Sequence, residues 1–173
     1  MKYDRLIAPV FSAVLFISAA GFAAQDPHQH DQHDRHAEVN KRGDKTMGFS
    51  HLKTTHRFRL FEDGGAIEVE VNDAADAESR AKVQKHLNKI AELFSAGDFA
   101  MPMAIHDQTP PGVPVMINLK AEIAYKFEAT ERGGRVRIIT KNGDAIAAVH
   151  EFLRFQIQDH KTNDPLEVEK RPL

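Results

Sequence analysis

The chain has 173 residues, no cysteine and a formal net charge of −2 at pH 7. The absence of cysteine excludes disulfides, thiolate metal sites and a cysteine nucleophile. A nearly neutral chain also lacks the basic surface with which proteins bind nucleic acid. The length predicts one domain with short additional segments.

The first 23 residues have the pattern of a secretory signal peptide. Lys2 and Arg5 precede an apolar run over 6–20, and the small residues at 21–23 (Gly-Phe-Ala) offer a cleavage site. An uncleaved membrane anchor is the alternative, because 6–24 is nearly long enough to span a bilayer. The pattern favours cleavage, so we expect bacterial export to the periplasm or the medium and no membrane attachment afterwards.

Residues 24–46 form a polar segment that contains four histidines. It has almost no apolar side chain to bury, so we expect a disordered tail. Neutral imidazoles bind zinc, copper and nickel, and the aspartates between them can add oxygen ligands. The segment therefore predicts metal capture, with a solubilising linker as the alternative. The four histidines are His28, His30, His33 and His36.

Two stretches of alternating apolar and polar residues predict two β-hairpins. The first covers 56–71 with a glycine-containing turn at 62–65, and the second covers 123–138 with a similar turn at 131–134. Each hairpin has one apolar face, while the other face of the first carries arginine opposite glutamate.

Each hairpin is followed by a segment with one apolar stripe at helical spacing. We predict helices over 74–96, capped by Asn72-Asp73, and over 142–158. Two such ββα units predict an α+β fold, a two-layer sandwich in which two helices cover a four-stranded antiparallel sheet. The predicted organisation is a signal peptide (1–23), a disordered tail (24–46), an α+β domain (47–164) and a C-terminal tail (165–173).

The central segment, residues 98–112, has neither helical nor strand periodicity. Long irregular segments inside compact domains are usually functional unless they are disordered, and the apolar content of this one argues against disorder. The thioethers of Met101 and Met103 and the imidazole of His106 suit Cu(I). In the alternative, the methionines fill the core and His106 lies at a turn capped by Asp107.

Several histidines outside the central segment are candidates for a site. His150 lies on the apolar stripe of the second helix, where a histidine is usually a hydrogen-bonded core residue. If it meets His106 or His56 in space, it becomes a buried ligand or a general base. His86 and His160 are interpreted as ordinary surface or capping residues.

Three motifs carry a resemblance to known proteins: Lys-Thr-Thr-His at 53–56, Ile-His-Asp-Gln-Thr-Pro-Pro-Gly-Val-Pro at 105–114, and His-Glu-Phe-Leu-Arg-Phe-Gln-Ile at 150–157. From about 47 to 164 the chain resembles small, often secreted bacterial proteins without an assigned activity, some of them labelled aspartate carbamoyltransferase. The chain is too short for that enzyme and lacks its Ser-Thr-Arg-Thr and His-Pro-x-Gln segments, so it does not support the label. The resemblance implies a shared fold and a shared pocket at the central segment.

The leading hypothesis is an exported, non-catalytic protein that binds copper or zinc, with no organic cofactor. The alternative is a small-molecule binding or catalytic pocket built on His106 and His150 between the sheet and the central segment. The chain carries none of the usual hydrolase, metalloprotease or phosphate-loop motifs, which argues against an enzyme. A partner-binding module is the third hypothesis, and a homodimer could form through the open sheet face. The expected metal ligands are the four tail histidines, Met101, Met103, His106 and His150, and the further pocket residues are His51, His56 and Asp107.

Overall fold

The computed structural model describes residues 27–170, with side chains from Arg35 onward; the predicted signal peptide, 1–23, lies outside this range. The main elements are α1 (Pro27–Met47), β1 (Thr54–Phe61), β2 (Gly64–Val71), α2 (Ala77–Ala96), α3 (Ala100–His106), α4 (Val113–Asn118), β3 (Ala124–Thr130), β4 (Gly133–Ile139) and α5 (Gly143–His160). The strands form one antiparallel sheet in the order β1-β2-β4-β3. The predicted α+β fold class is confirmed.

The alternation of residue types fixes the register of the sheet. Ile67 on β2 lies between Phe58 on β1 and Val136 on β4, and all three side chains are buried in the core beneath the helices. On the opposite face Glu68 lies between Arg57 and Arg135. A one-residue shift would exchange these two faces, so burial of the apolar face specifies the pairing.

The two long helices α2 and α5 cover the apolar face, each with a side-chain cap at its first turn. The predicted start of α2 was wrong by about three residues, because Asp73 forms a turn with Ala75 while Asp76 caps the helix by accepting from the backbone N–H of Ser79. Asn142 caps α5, which begins one residue after the predicted start. Of the helices in the described range, none has the length and apolarity that crossing a bilayer requires.

Helix α1 occupies most of the segment for which we predicted disorder, and this is the main departure from the predicted organisation. Val39 is fully buried, Arg42 donates from Nε to the carbonyl oxygen of Ile105 at 2.7 Å, and the Arg35 guanidinium contacts the Asp159 carboxylate at 2.9 Å. The prediction considered only apolar residues available for burial. A helix that is held by hydrogen bonds, an ion pair and one buried valine needs few apolar residues.

The central segment is also more regular than predicted, because helix α3 occupies part of it and a turn at 107–112 joins α3 to α4. Asp107 ends α3 with φ 53°, and Gly112 precedes α4 with φ 79°. A Cβ atom on Gly112 would lie 2.0 Å from the backbone oxygen of Ala148 on α5. Glycine thus allows both the left-handed conformation and the close approach of the segment to α5.

The segment after α5 runs along the outer edge of β1. The backbone N–H of Phe58 donates to the Asp164 carboxylate at 2.9 Å, and the N–H of Glu169 donates to the carbonyl oxygen of Leu60 at 2.8 Å. Arg59 adds an ion pair with the Glu169 carboxylate at 2.9 Å. These contacts satisfy backbone groups that an edge strand otherwise exposes.

Candidate functional site

A cavity of about 60 Å³ lies between the inner face of the sheet and helices α2, α3 and α5. Its wall is mostly apolar, and Phe58, Phe94 and Phe152 contribute much of it. Four imidazoles, two thioethers and one amide interrupt this apolar wall. These side chains are His56 on β1, His86 on α2, Met101 and His106 on α3, Gln156 and His160 on α5, and Met47 at the end of α1.

His160 lies at the centre of the histidine group. Its ring centroid is 5.9 Å from that of His56, with the rings nearly parallel, and 4.9 Å from that of His106, with the rings nearly perpendicular. Phe49 contacts both His56 and His86, with ring centroids 6.1 and 5.5 Å away. The fold therefore gathers imidazoles from both ββα units and from the segment between them.

The surroundings keep three of these imidazoles uncharged at neutral pH. Burial, helped by the neighbouring His86, lowers the pKa of His56 to about 4, and burial alone lowers the pKa of His86 to about 4. Burial and the neighbouring imidazoles of His56 and His106 lower the pKa of His160 to about 3. A neutral imidazole has one ring nitrogen with a free lone pair, and this is the form that accepts hydrogen bonds or binds metals.

His106 is held differently, because both of its ring nitrogens have partners. Nδ1 lies 2.5 Å from a carboxylate oxygen of Asp159, and Nε2 lies 2.9 Å from Oε1 of Gln156. Burial acts to raise the pKa of Asp159, but hydrogen bonds from Arg35 and His106 lower it below its ordinary value. Both ring nitrogens of His106 therefore face oxygen atoms, and neither is directed at the cavity as a free ligand atom.

Gln156 supplies the polar group of the cavity that lacks a protein partner. The side chain is buried, lines the cavity and bonds to His106 through Oε1, while its Nε2 atom has no hydrogen-bond partner in the described structure. An unsatisfied buried amide costs about 1–3 kcal/mol. A ligand that accepts a hydrogen bond in the cavity would remove this cost.

A surface groove of about 250 Å³ adjoins the cavity and shares Met47, His56 and His160 with it. His36 and His51 line the groove together with threonine side chains. Six histidines thus extend from the surface to the core. The other groove residues are Asn40, Thr54, Thr55 and Thr162.

The structure brings together only some of the predicted site residues. His56, His106 and Met101 line the cavity, whereas Met103 is 37% exposed and lies outside it. Asp107 is exposed at the end of α3. His51 and His36 lie in the groove. His28, His30 and His33 belong to the backbone of α1, and their side chains lie outside the described part of the chain.

His150 is a structural residue outside the cavity, as the core interpretation predicts. Its Nε2 atom lies 2.9 Å from the carbonyl oxygen of Phe61 and 3.0 Å from that of Gly64, so it donates to both ends of the β1–β2 turn. A nitrogen that donates to two carbonyl groups has no lone pair left for a ligand on that side. The predicted meeting of His150 with His106 or His56 is not found in the cavity.

The interpretation of His86 and His160 as surface or capping residues was wrong, since both line the cavity. A signal for His160 was present, because it follows Leu153 and Ile157 at helical spacing and so continues the buried stripe of α5. His86 lies three residues after Val83 on α2, at the margin of the stripe. Both positions also match the inward face of a helix.

Within the described side chains, no three histidine or carboxylate groups are already arranged to hold a metal ion. The cavity offers imidazoles together with methionine thioethers instead. Comparisons with protein-family models, curated proteins and solved structures find no match for this chain. Fold and site together define an α+β protein with a histidine-lined cavity, and the resemblance to small secreted bacterial proteins stays a prediction.

Proposed function

We propose that this protein binds a transition metal ion, copper or zinc, without catalysing a reaction, and that the histidine-lined cavity is the site. The observation that carries the proposal is the convergence of four imidazoles and two thioethers from five different elements on one small, largely apolar cavity. These residues are far apart in the sequence, so only the tertiary fold brings their side chains together.

The protonation state of the site leaves its imidazoles able to bind a metal without first losing a proton. Burial keeps His56, His86 and His160 neutral, with pKa values of about 4, 4 and 3, so binding at pH 7 displaces no proton from these rings. Metal sites made of groups that must first lose a proton bind more weakly as the pH falls. Imidazole suits both zinc and copper, and thioether sulfur adds a preference for copper.

The residues divide into ligands and a positioning group. We assign the ligand role to a subset of His56, His86, His160, Met47 and Met101, whose side chains line the cavity. His106 is a positioning residue, because its ring is fixed on both sides by hydrogen bonds and it contacts His160 edge-on. Such hydrogen-bonded neighbours orient metal ligands in many sites.

The tail histidines keep their proposed role as a first capture site. His28, His30 and His33 lie on α1, which reaches the groove at His36. Metal captured there would lie next to the groove that leads to the cavity.

Isothermal titration of the full chain with Cu²⁺, Cu(I) and Zn²⁺ tests the proposal. The His160→Asn variant should lose at least tenfold in affinity for the ion that the cavity takes, since one ligand is removed. The matched control H28A/H30A/H33A should lose only the tail sites and keep one tight equivalent. Binding weaker than millimolar for all three ions in the unmodified protein would end the proposal.

The partnerless amide of Gln156 favours a second candidate function, the binding of a small molecule that accepts a hydrogen bond. The cavity of about 60 Å³ is too small for an ordinary ligand, so such a molecule would extend into the groove of about 250 Å³. His106 would orient the Gln156 amide toward such a molecule, because its Nε2 atom lies 2.9 Å from Oε1 of Gln156. Thermal-shift screening with small amides and carboxylic acids tests this candidate, and a Gln156→Leu variant should abolish any shift.

A further inference from the structure

The charges around the cavity discriminate between ions. The side chains that line it include no carboxylate, no lysine and no arginine among the described residues. The cost of burying an ion rises with the square of its charge, so an apolar wall without carboxylates disfavours a divalent ion far more than a monovalent one. Zinc normally takes four ligands, often anionic, whereas soft thioether and imidazole groups suit Cu(I).

Met47 stands at the boundary between the groove and the cavity. It lines both spaces, together with His56 and His160. One turn earlier on α1 is Gly43, where an added Cβ atom would lie 3.2 Å from the terminal methyl carbon of Met47. The thioether therefore rests against a helix position without a side chain, and methionine has three flexible torsions with which to move.

The groove provides ligands of the same kind in front of Met47. His51 is oriented by Asp44, with Nδ1 2.9 Å from the carboxylate, and His36 lies with Nε2 3.1 Å from the carbonyl oxygen of His160. Both imidazoles line the groove, while His56 and His160 line the groove and the cavity alike. The groove and the cavity therefore offer imidazole ligands on both sides of Met47.

We infer that the ion taken by this site is Cu(I), that it reaches the cavity from the groove, and that the thioether of Met47 is both the gate and a ligand. The inference rests on the proposed metal-binding function and adds the oxidation state, the access route and a residue that determines specificity. Met101, which also lines the cavity, offers a second thioether.

The test uses the full chain under argon, with Cu(I) supplied as its bicinchoninate complex and Zn²⁺ supplied in a separate titration. Met47→Leu removes sulfur and keeps the side chain's size. Met103→Leu is the matched control, because Met103 is exposed and lies outside the cavity. Gly43→Ala crowds the methyl group of Met47 without touching a ligand atom.

Met47→Leu should lower the affinity for Cu(I) at least tenfold and leave that for Zn²⁺ unchanged, and Met103→Leu should change neither. Gly43→Ala should slow the transfer of Cu(I) from bicinchoninate severalfold and leave the affinity within twofold. Should Met47→Leu fold poorly, the ¹³C-methyl NMR signals of the five methionines in the unmodified protein give an independent reading. Addition of Ag(I), a redox-inert substitute for Cu(I), should then shift the Met47 signal.

Three results would overturn the inference. A cavity that binds Zn²⁺ tightly and Cu(I) no better excludes the monovalent ion while leaving the proposed function intact. Unchanged Cu(I) affinity in Met47→Leu, or an unmoved Met47 methyl signal, excludes Met47 as a ligand. Failure to bind any metal overturns both the inference and the proposed function.

Discussion

Acidification of the metal-free protein from pH 7 to pH 5 should destabilise it strongly, because the unfolded chain takes up protons that the folded chain cannot. The pKa values of His56, His86 and His160 are about 4, 4 and 3 in the folded protein, against 6.5 for an unperturbed histidine. Their stabilising contribution is fully present above pH 6.5 and is lost as the pH falls toward the folded values. At about 1.4 kcal/mol per pKa unit and ring, three rings lose about 5 kcal/mol between pH 7 and pH 5.

This loss is comparable with the whole stability of a small domain, about 5–15 kcal/mol. It is an upper figure, since the three rings keep some contact with solvent. Urea unfolding followed by far-ultraviolet circular dichroism at pH 7, 6 and 5 measures it. His86→Phe keeps the aromatic contact with Phe49 and should reduce the pH-dependent loss by about one third. A stability that changes by less than about 1 kcal/mol over this range, or an equal loss in His86→Phe, would refute the reasoning.

Three further predictions concern the fold. His150→Phe should lower the free energy of unfolding by about 1–3 kcal/mol, because two carbonyl groups lose their donor, and should leave metal affinity unchanged by titration. Gly112→Ala should lower the free energy of unfolding by at least about 2 kcal/mol in thermal unfolding, because Gly112 has a positive φ and an added Cβ would meet the backbone of Ala148. The control is Gly143→Ala, where an added Cβ meets nothing within 4 Å, and it should be neutral or stabilising. Val39→Ala should cost about 2 kcal/mol and speed amide hydrogen exchange in α1 more than in α5; equal exchange would show that α1 is not held by this side chain.

The sheet and its two covering helices could be predicted because their signals are local. Alternation around the glycine turns at 62–65 and 131–134 sets both hairpins, and the pairing of Phe58 with Ile67 follows once one face must be buried. Helix α1 was not predicted, because the contacts that hold it are not local in the sequence. It is held by contacts such as that of Arg42 with the Ile105 carbonyl, across 63 residues of sequence, and hydropathy does not report such contacts.

Only part of the candidate site could be predicted from the sequence. His56 and His106 could be proposed as neighbours, because one precedes an alternating run and the other lies in the segment between the two units. Choosing His150 over His160 was wrong, since both follow the stripe of α5 and only the packing decides which ring meets the cavity. Periodicity tells which residues of a helix face the sheet. Which of those residues lies at the cavity depends on how the helix is positioned along the sheet.

The segment that closes the edge of β1 has a consequence for the period just after synthesis. Asp164 and Glu169 contact strand residues that lie 106 to 110 positions earlier, so this edge stays open until these two residues have been synthesised. During that interval the unpaired backbone of β1 can join the strand of another molecule. We expect aggregation during refolding to rise when the last nine residues are removed, even where the native protein tolerates their loss.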